Sequence, residues 1–379
     1  MLYYLSLLEG YLSELRLFQY VTFRTLGAAS TAFIISLIVA PGLIRRLRVI
    51  NFGELVEDDR VEGLDKRNKV GTPTMGGLLI IISCSVATLL WAISTNMYML
   101  LTVATFCIMG AVGFADDYLK IKRRNGLSMK MKFTAQLVWA GIVFSVLWAI
   151  PEMQERVRDL MVPFFKNPLI DMGLIGSFIF LVLVLVGASN AVNLTDGLDG
   201  LAIGCTNSVV GAYLLLTYVA GHFSFAEYLQ VPFVRGSSEL TVFCGALLGS
   251  GLGFLWYNCH PAKIFMGDTG SLAIGGAIAM LAILIKQELL LVIVGGVFVI
   301  EAASVVLQSS WFKITRKRTG QGRRIFKCAP LHHHFEFVEK ERAMDENRPP
   351  ELVETVIVTR FWILGIIFAL IGVATLKLR

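Results

Sequence analysis

The chain has 379 residues, of which 55% are hydrophobic and 16% charged, with a formal net charge of +6. An ordinary soluble domain carries about 25% charged residues. Here the apolar residues also come in long unbroken runs rather than periodic stripes, which excludes a soluble fold, a disordered chain and a disulfide-stapled secreted module and leaves an all-α polytopic integral membrane protein.

In chain order, residues 1–20 carry Glu9, Glu14 and Arg16 among leucines and tyrosines. They lack the basic start and clean apolar core of a cleavable signal and read as an interfacial segment. Residues 21–379 read as one membrane domain. A spanning helix takes about 20 mostly apolar residues. Ten segments qualify: 21–44, 75–94, 97–115, 133–150, 172–189, 200–219, 240–257, 271–285, 289–307 and 358–376, the eighth being the shortest and weakest. Gly245, Gly249 and Gly253 repeat at the spacing that lets helix backbones approach closely. Gly295, Gly296 and Glu301 leave open a bend in the ninth span, and Glu301 reads equally well as a functional intramembrane carboxylate or a bundle contact. Residues 308–357 read as a long loop between spans nine and ten. The cysteines are scattered with no paired spacing, so neither a disulfide nor a zinc site is expected.

Of the 34 lysines and arginines, 24 fall after spans one, three, five, seven and nine, and 8 in the segments at the opposite end. The excess of basic residues in cytoplasmic loops predicts five cytoplasmic loops and both termini on the outer, periplasmic side. The positive charge is thereby a matter of topology, and no nucleic-acid partner is expected.

The unusual polar residues fall on that same predicted face. Lys69 and Thr74 lie in KVGTPTMGG, before span two, and Asp116 and Asp117 end span three, followed by Lys120 and Lys132. Asn190, Asn193, Asp196 and Asp199 lie in NAVNLTDGLDG; Asn258, Lys263, Phe265, Gly267 and Asp268 lie in NCHPAKIFMGDTGS; His332, His333 and His334 follow span nine. Each has a bland reading alone. A pair of aspartates at a helix end is ordinarily a solvated terminus, DG pairs form turns, and a lone phenylalanine is ordinarily core. DGLDG lacks the alternating ligands of a calcium loop, the histidines lack HExxH spacing, and no Walker A or GxGxxG loop is present. Together on one face, however, carboxylates and lysines are the parts for phosphoryl transfer. Magnesium commonly binds through one or two carboxylates plus substrate phosphates, and catalysis is mostly positioning and charge neutralisation.

These motifs make the chain resemble the polyprenyl-phosphate N-acetylhexosamine-1-phosphate transferases, magnesium-using membrane enzymes. The shared signals are the DD pair, NxxNxxDGxDGL and the GD of FMGDTGS; PLHHHFE and KxGTPTMGG make it most similar to the phospho-N-acetylmuramoyl-pentapeptide transferase branch. The resemblance runs from about residue 20 to the C-terminus and implies transfer of phospho-MurNAc-pentapeptide from UDP-MurNAc-pentapeptide to undecaprenyl phosphate. The products would be lipid I and UMP, made at the bacterial inner membrane by a homodimer whose site faces the cytoplasm. It implies Asp268 as the principal Mg2+ ligand and Asp116, with Asp117 beside it, as the group that deprotonates or positions the lipid phosphate. Asn193, Asp196, Gly267 and Thr74 would line the ribose-diphosphate region. Lys69, Asp199 and Asn258 would contact uracil with Phe265 stacked on it. Lys120 and Lys132 would offset phosphate charge, and His332, His333 and His334 would sit near the sugar-diphosphate or the peptide. Whether attack is direct or passes through an aspartyl-phosphate is open, with direct attack favoured because a metal-bound carboxylate is a poor nucleophile. The alternatives are a sibling enzyme using UDP-GlcNAc, which would not be expected to carry PLHHHFE, and an ion-coupled transporter, which would place its polar residues near the bilayer midplane.

Overall fold

The computed structural model describes residues 1–50, 71–123, 125–345 and 351–377. Two 3-10 helices, Leu2–Leu8 and Ser13–Gln19, open the chain. There follow α1 (Val21–Ile50), α2 (Gly77–Trp91), α3 (Met97–Arg123), α4 (Met129–Ala149) and a short α5 (Pro151–Arg158). Two-residue strands β1 (Asp159–Leu160) and β2 (Ile170–Asp171) pair antiparallel. Next come α6 (Gly173–Thr195), α7 (Leu201–Ala220), α8 (Phe223–Leu229), α9 (Glu239–Asn258), α10 (Gly267–Leu284), α11 (Leu290–Val294), α12 (Gly296–Thr319), α13 (Leu331–Asp345) and α14 (Glu351–Ala374). Among the described residues nine helices are long and apolar enough to cross a membrane, and α2 is a shorter apolar one. All ten apolar segments expected from the sequence are therefore helical, and the chain is an all-α multi-pass membrane protein.

The weakest expected span proves to be the centre of the bundle. Every residue of α10 from Thr269 to Leu284 is buried, with α3, α6, α2 and α7 packed around it. Its composition explains why. Gly270, Ala273, Gly275, Gly276, Ala277 and Ala279 leave room on all sides for neighbouring backbones, since close van der Waals packing rather than hydrophobic burial holds helices together in lipid. Its weakness in the sequence is one of length, since α10 has 18 residues, and length says nothing of how fully a span is enclosed by its neighbours.

Two boundaries differ from the sequence reading, and the bend it left open in the ninth span is present. α3 continues past the aspartate pair to Arg123, so Asp116 and Asp117 lie inside a helix, and Lys120 shares their face at i+3 and i+4. The ninth span breaks at Gly295, where α11 gives way to α12. The stretch 308–357 is mostly helical: α12 runs to Thr319, α13 occupies 331–345 and α14 begins at 351.

At the end of the bundle opposite the aspartates, Arg24 of α1 makes a buried two-pronged ion pair with Glu239 of α9, both N–O distances being 2.6 Å. Glu239 also accepts the Ile93 N–H, so one carboxylate ties α1, α9 and the segment after α2.

Close contacts between α3 and α10 set the position of Asp268. A Cβ on Gly113 would lie 2.1 Å from the Asp268 carbonyl oxygen and 2.6 Å from the Thr269 nitrogen. Because backbone atoms cannot swing aside, Gly113→Ala is expected to cost about 1–3 kcal/mol by overpacking. Gly141→Ala in α4 is the control, since nothing lies within 4 Å of the added methyl. Thermal unfolding should show a lowered midpoint for the first substitution and none for the second.

Candidate functional site

Ends of α3, α6 and α10 and the start of α4 meet around Asp116, Asp117 and Asp268, which each offer a carboxylate oxygen within 4.8 Å of the others. Asp116 and Asp117 are buried, whereas the Asp268 side chain is 14% exposed. The three carboxylates have distinct duties. Asp117 accepts the Asp268 N–H at 3.2 Å, the Thr269 N–H at 2.9 Å and the Thr269 hydroxyl at 2.7 Å. It thus caps the N-terminus of α10 from another helix, satisfying amides that a helix start leaves without partners and placing negative charge at the positive end of the helix dipole. Asp116 accepts the Leu127 N–H on Oδ1 at 2.7 Å, which draws in the loop between α3 and α4. Its Oδ2 lies 2.8 Å from Lys120 Nζ and 2.9 Å from Lys132 Nζ. Both ammonium groups also reach Asp268 Oδ2, Lys132 at 2.5 Å and Lys120 at 3.2 Å. Two lysines therefore offset three carboxylates, leaving a net negative pocket suited to a cation.

Gly267 starts α10 with a φ of +71°, and a Cβ there would lie 2.6 Å from Asp117 Oδ2 and 2.8 Å from Thr74 Oγ1. Only glycine fits both that conformation and that space. The segment bearing Thr74 is laced to the start of α10 by backbone bonds, Phe265 donating to Pro73 O at 2.8 Å, Gly76 to Phe265 O at 2.8 Å and Gly77 to Met266 O at 2.9 Å. The Phe265 ring is half-buried. Asn193 accepts the Ser271 hydroxyl at 2.8 Å, joining the end of α6 to the first turn of α10.

Asp196 follows α6 and faces the same cluster. Burial and then the carboxylates of Asp268 and Asp117 push its pKa up to about 7, offset in part by the Gly267 amide. The folded protein thus holds a proton on Asp196 that the unfolded chain sheds above about pH 4. The associated stabilisation is complete below that pH and is lost as pH rises through about 7. The thermal midpoint of metal-free wild type minus that of Asp196→Asn should accordingly fall between about pH 5 and pH 8; a flat difference would mean the carboxyl is ionised throughout.

A second group lies beside the first. Asp199 accepts the Ala262 N–H at 3.1 Å and faces His260 Nδ1 at 3.2 Å, while its own N–H donates to Glu354 of α14 at 3.0 Å. Asn258 spends its amide on backbone, accepting from Gly200 N and donating to Ile264 O. Asn190 stands apart from the cluster and donates to Gln136 of α4 and to Val186 O. Of the three histidines, only His332 reaches the DG turn, its Nε2 lying against Gly197. His333 faces Glu336 of its own helix at 3.1 Å, and His334 Nδ1 accepts the Lys327 N–H at 3.2 Å. Burial raises the Glu336 pKa, but the hydrogen bonds from His333 and Lys340 outweigh it and hold the carboxyl near 2. Lys69 lies outside the described residues. His260 and Glu354 join the candidate site without having been singled out in the sequence. His260 stands in the NCHPAKIFMGDTGS string, whereas Glu354 carries no motif and arrives only through the packing of α14.

An apolar cavity of about 430 Å³ opens between α6, α10, α11 and α12, lined by Phe180, Val184, Val192, Ile278 and Phe298 among others. On α6 its lining runs from Phe180 to Val192, one residue before Asn193.

Residues 98–286 match the model of glycosyl transferase family 4. Relatives named phospho-N-acetylmuramoyl-pentapeptide-transferase match along the full length. The protein from Desulfatibacillum aliphaticivorans is 49% identical over 100% of both chains. That from Maridesulfovibrio salexigens is 47% identical over 100% of this chain and 99% of its own. That from Methylacidiphilum infernorum is 45% identical over 100% of both. The chain belongs to the phospho-N-acetylmuramoyl-pentapeptide-transferase family. In this transferase the family-model match spans α3 to the end of α10, and so takes in Asp116, Asp117, Asp196, His260 and Asp268 but neither Glu301 nor His332, His333 and His334.

Proposed function

We propose that the protein transfers phospho-N-acetylmuramoyl-pentapeptide from its UDP carrier to undecaprenyl phosphate, forming lipid I and releasing UMP for peptidoglycan synthesis. The observation that carries this reading is the cluster of three carboxylates and two lysines, in a bundle that also holds an apolar cavity between α6 and α12. One substrate is a water-soluble nucleotide diphosphate and the other an anionic head on a long hydrocarbon chain, so their reacting groups can meet only where a polar site adjoins an apolar groove. The cavity between α6 and α12 is where the prenyl chain lies in this reading. The protein works in the bacterial inner membrane, as a homodimer, with the site facing the cytoplasm, where most basic residues are expected.

Hard carboxylate oxygens fit magnesium, and Asp268, the most accessible of the three, is its principal ligand, with Asp116 and Asp117 beside it. Bound there, magnesium would supply neutralisation of diphosphate charge. The need is large: at about 4 Å two unit charges repel by roughly 4 kcal/mol at an effective dielectric near 20. Lys120 and Lys132 add positive charge and are pre-aimed by their ion pairs with Asp116 and Asp268. Asp116 positions the lipid phosphate and takes any proton it carries; that phosphate attacks the donor's β-phosphorus directly and UMP leaves. Asn193, Asp196, Gly267 and Thr74 line the diphosphate, while Lys69, Asp199 and Phe265 form the uracil end. Asn258 holds the backbone of that end through its bonds to Gly200 and Ile264.

UMP release by purified protein, measured with undecaprenyl phosphate and either UDP-MurNAc-pentapeptide or UDP-GlcNAc, tests the reading. Activity with the first donor alone is expected. Activity with UDP-GlcNAc alone would overturn it in favour of the sibling chemistry.

A further inference from the structure

Glu301 lies within α12 and is wholly buried. A carboxylate at membrane depth is costly unless it is paired. Its partner comes from outside the span. The His332 backbone N–H donates to Oε1 at 3.1 Å, and the His332 ring nitrogen Nδ1 lies 3.2 Å from Oε2. With the carboxylate already accepting the backbone N–H, the geometry points to Nδ1 as the second donor to it, which leaves the lone pair on Nε2. His332 is itself 1% exposed, and burial holds its pKa below the ordinary value, which keeps the ring neutral. Among the described residues Nε2 is a buried atom with no hydrogen-bond partner, which is rare enough to need a reason. It lies against Gly197, where an added Cβ would come within 2.2 Å of it. Gly197 is exposed and follows Asp196 directly.

We propose that Glu301 is a positioning residue for transfer: by fixing His332 with its proton on Nδ1, it presents Nε2 under the Asp196–Gly197 turn as an acceptor for a hydroxyl or amide N–H of the sugar-phosphate donor. An ionised phosphate oxygen has no proton to give a bare imidazole nitrogen, so this contact is made to the sugar or an amide attached to it and not to the diphosphate. Gly197 fits the same role, because any side chain there would occupy the space facing Nε2. The inference rests on the transfer reaction proposed above.

The test uses Glu301→Gln, His332→Gln and the double variant, with kcat and KM measured for UDP-MurNAc-pentapeptide and for undecaprenyl phosphate. In Glu301→Gln the carboxamide N–H faces Nδ1, which moves the ring proton to Nε2 and turns the acceptor into a donor. The expected result is a loss in kcat/KM for the nucleotide donor of about 10–100-fold, the scale found for groups that orient a working imidazole. KM for the lipid should be unchanged, and the double variant should be no worse than His332→Gln, since residues acting as one unit are not additive. Multiplicative losses, or a rise in both KM values together, would mean that Glu301 only packs the bundle, and would overturn the proposal. Nitrogen-15 histidine spectra of the wild-type protein give a second readout that needs no stable variant: His332 Nε2 is expected to be unprotonated at neutral pH, and a protonated Nε2 overturns the proposal. Wild-type protein that shows this ring state but makes no lipid I would instead count against the proposed function.

Discussion

Asp268→Asn is expected to lower UMP release by about 10²–10³-fold at saturating magnesium, the scale of losing one preorganised electrostatic contact to developing charge. Asp268 is the most accessible of the three carboxylates, at 14% exposure against 1% for Asp116 and 3% for Asp117. The side-chain bonds it makes run to the two lysines, whereas Asp116 and Asp117 also hold backbone amides. Asparagine has nearly the same shape, so α10 should keep its place while the negative charge disappears. The thermal midpoint should therefore stay close to that of the wild type, and the magnesium concentration for half-maximal rate should rise. Near-normal turnover at saturating magnesium would remove Asp268 from the metal role.

Asp116→Asn should separate binding from chemistry. Oδ1 can keep its bond from Leu127 in the variant, so the loop between α3 and α4 stays in place. Oδ2 becomes an amide N–H₂ facing Lys120 and Lys132, which lie 2.8 and 2.9 Å from the wild-type oxygen. Three donors then meet with no acceptor, and the lysines turn toward Asp268. A group that takes a proton or positions a nucleophile contributes about 10²–10⁴-fold. A fall in turnover of that size is expected in lipid I formation, with donor binding by calorimetry retained. Unchanged turnover would end the catalytic assignment, and a lost donor affinity would move Asp116 into the binding group instead.

Apolar runs are local, and this is why all ten helices could be read from the sequence. Chemistry could be read where a motif concentrates it, as at Asp116–Asp117, the DG turns and FMGDTGS. What escaped depended on partners distant in the chain. Nothing near Asp117 tells of Thr269, yet that contact makes Asp117 an end cap for α10 as much as a reacting group. Glu301 could not be assigned between function and packing until His332, 31 residues on, was found against it. Asn258 has the chemistry of a ligand contact and spends it on Gly200 and Ile264. Glu354 has no local signal at all. The eighth expected span stood weakest because its apolar run is the shortest, and nothing in that run tells that α10 meets protein on every side.

That enclosure has a mechanical consequence. Stretching, thinning or stiffening the bilayer acts first on helices that lipid can grip, such as α12 and α14 with their exposed outer faces. The carboxylate that would hold the ion starts α10, among the described residues the one long helix buried along its length from Thr269 to Leu284, and it is fastened there by Asp117 from a neighbour. Changes of acyl-chain length are expected to tilt the rim of the bundle while its axis stays registered to the carboxylate cluster, as a wheel can flex around a fixed hub. Acyl-chain thickness should accordingly alter entry of the long prenyl acceptor more than the rate of the transfer step itself.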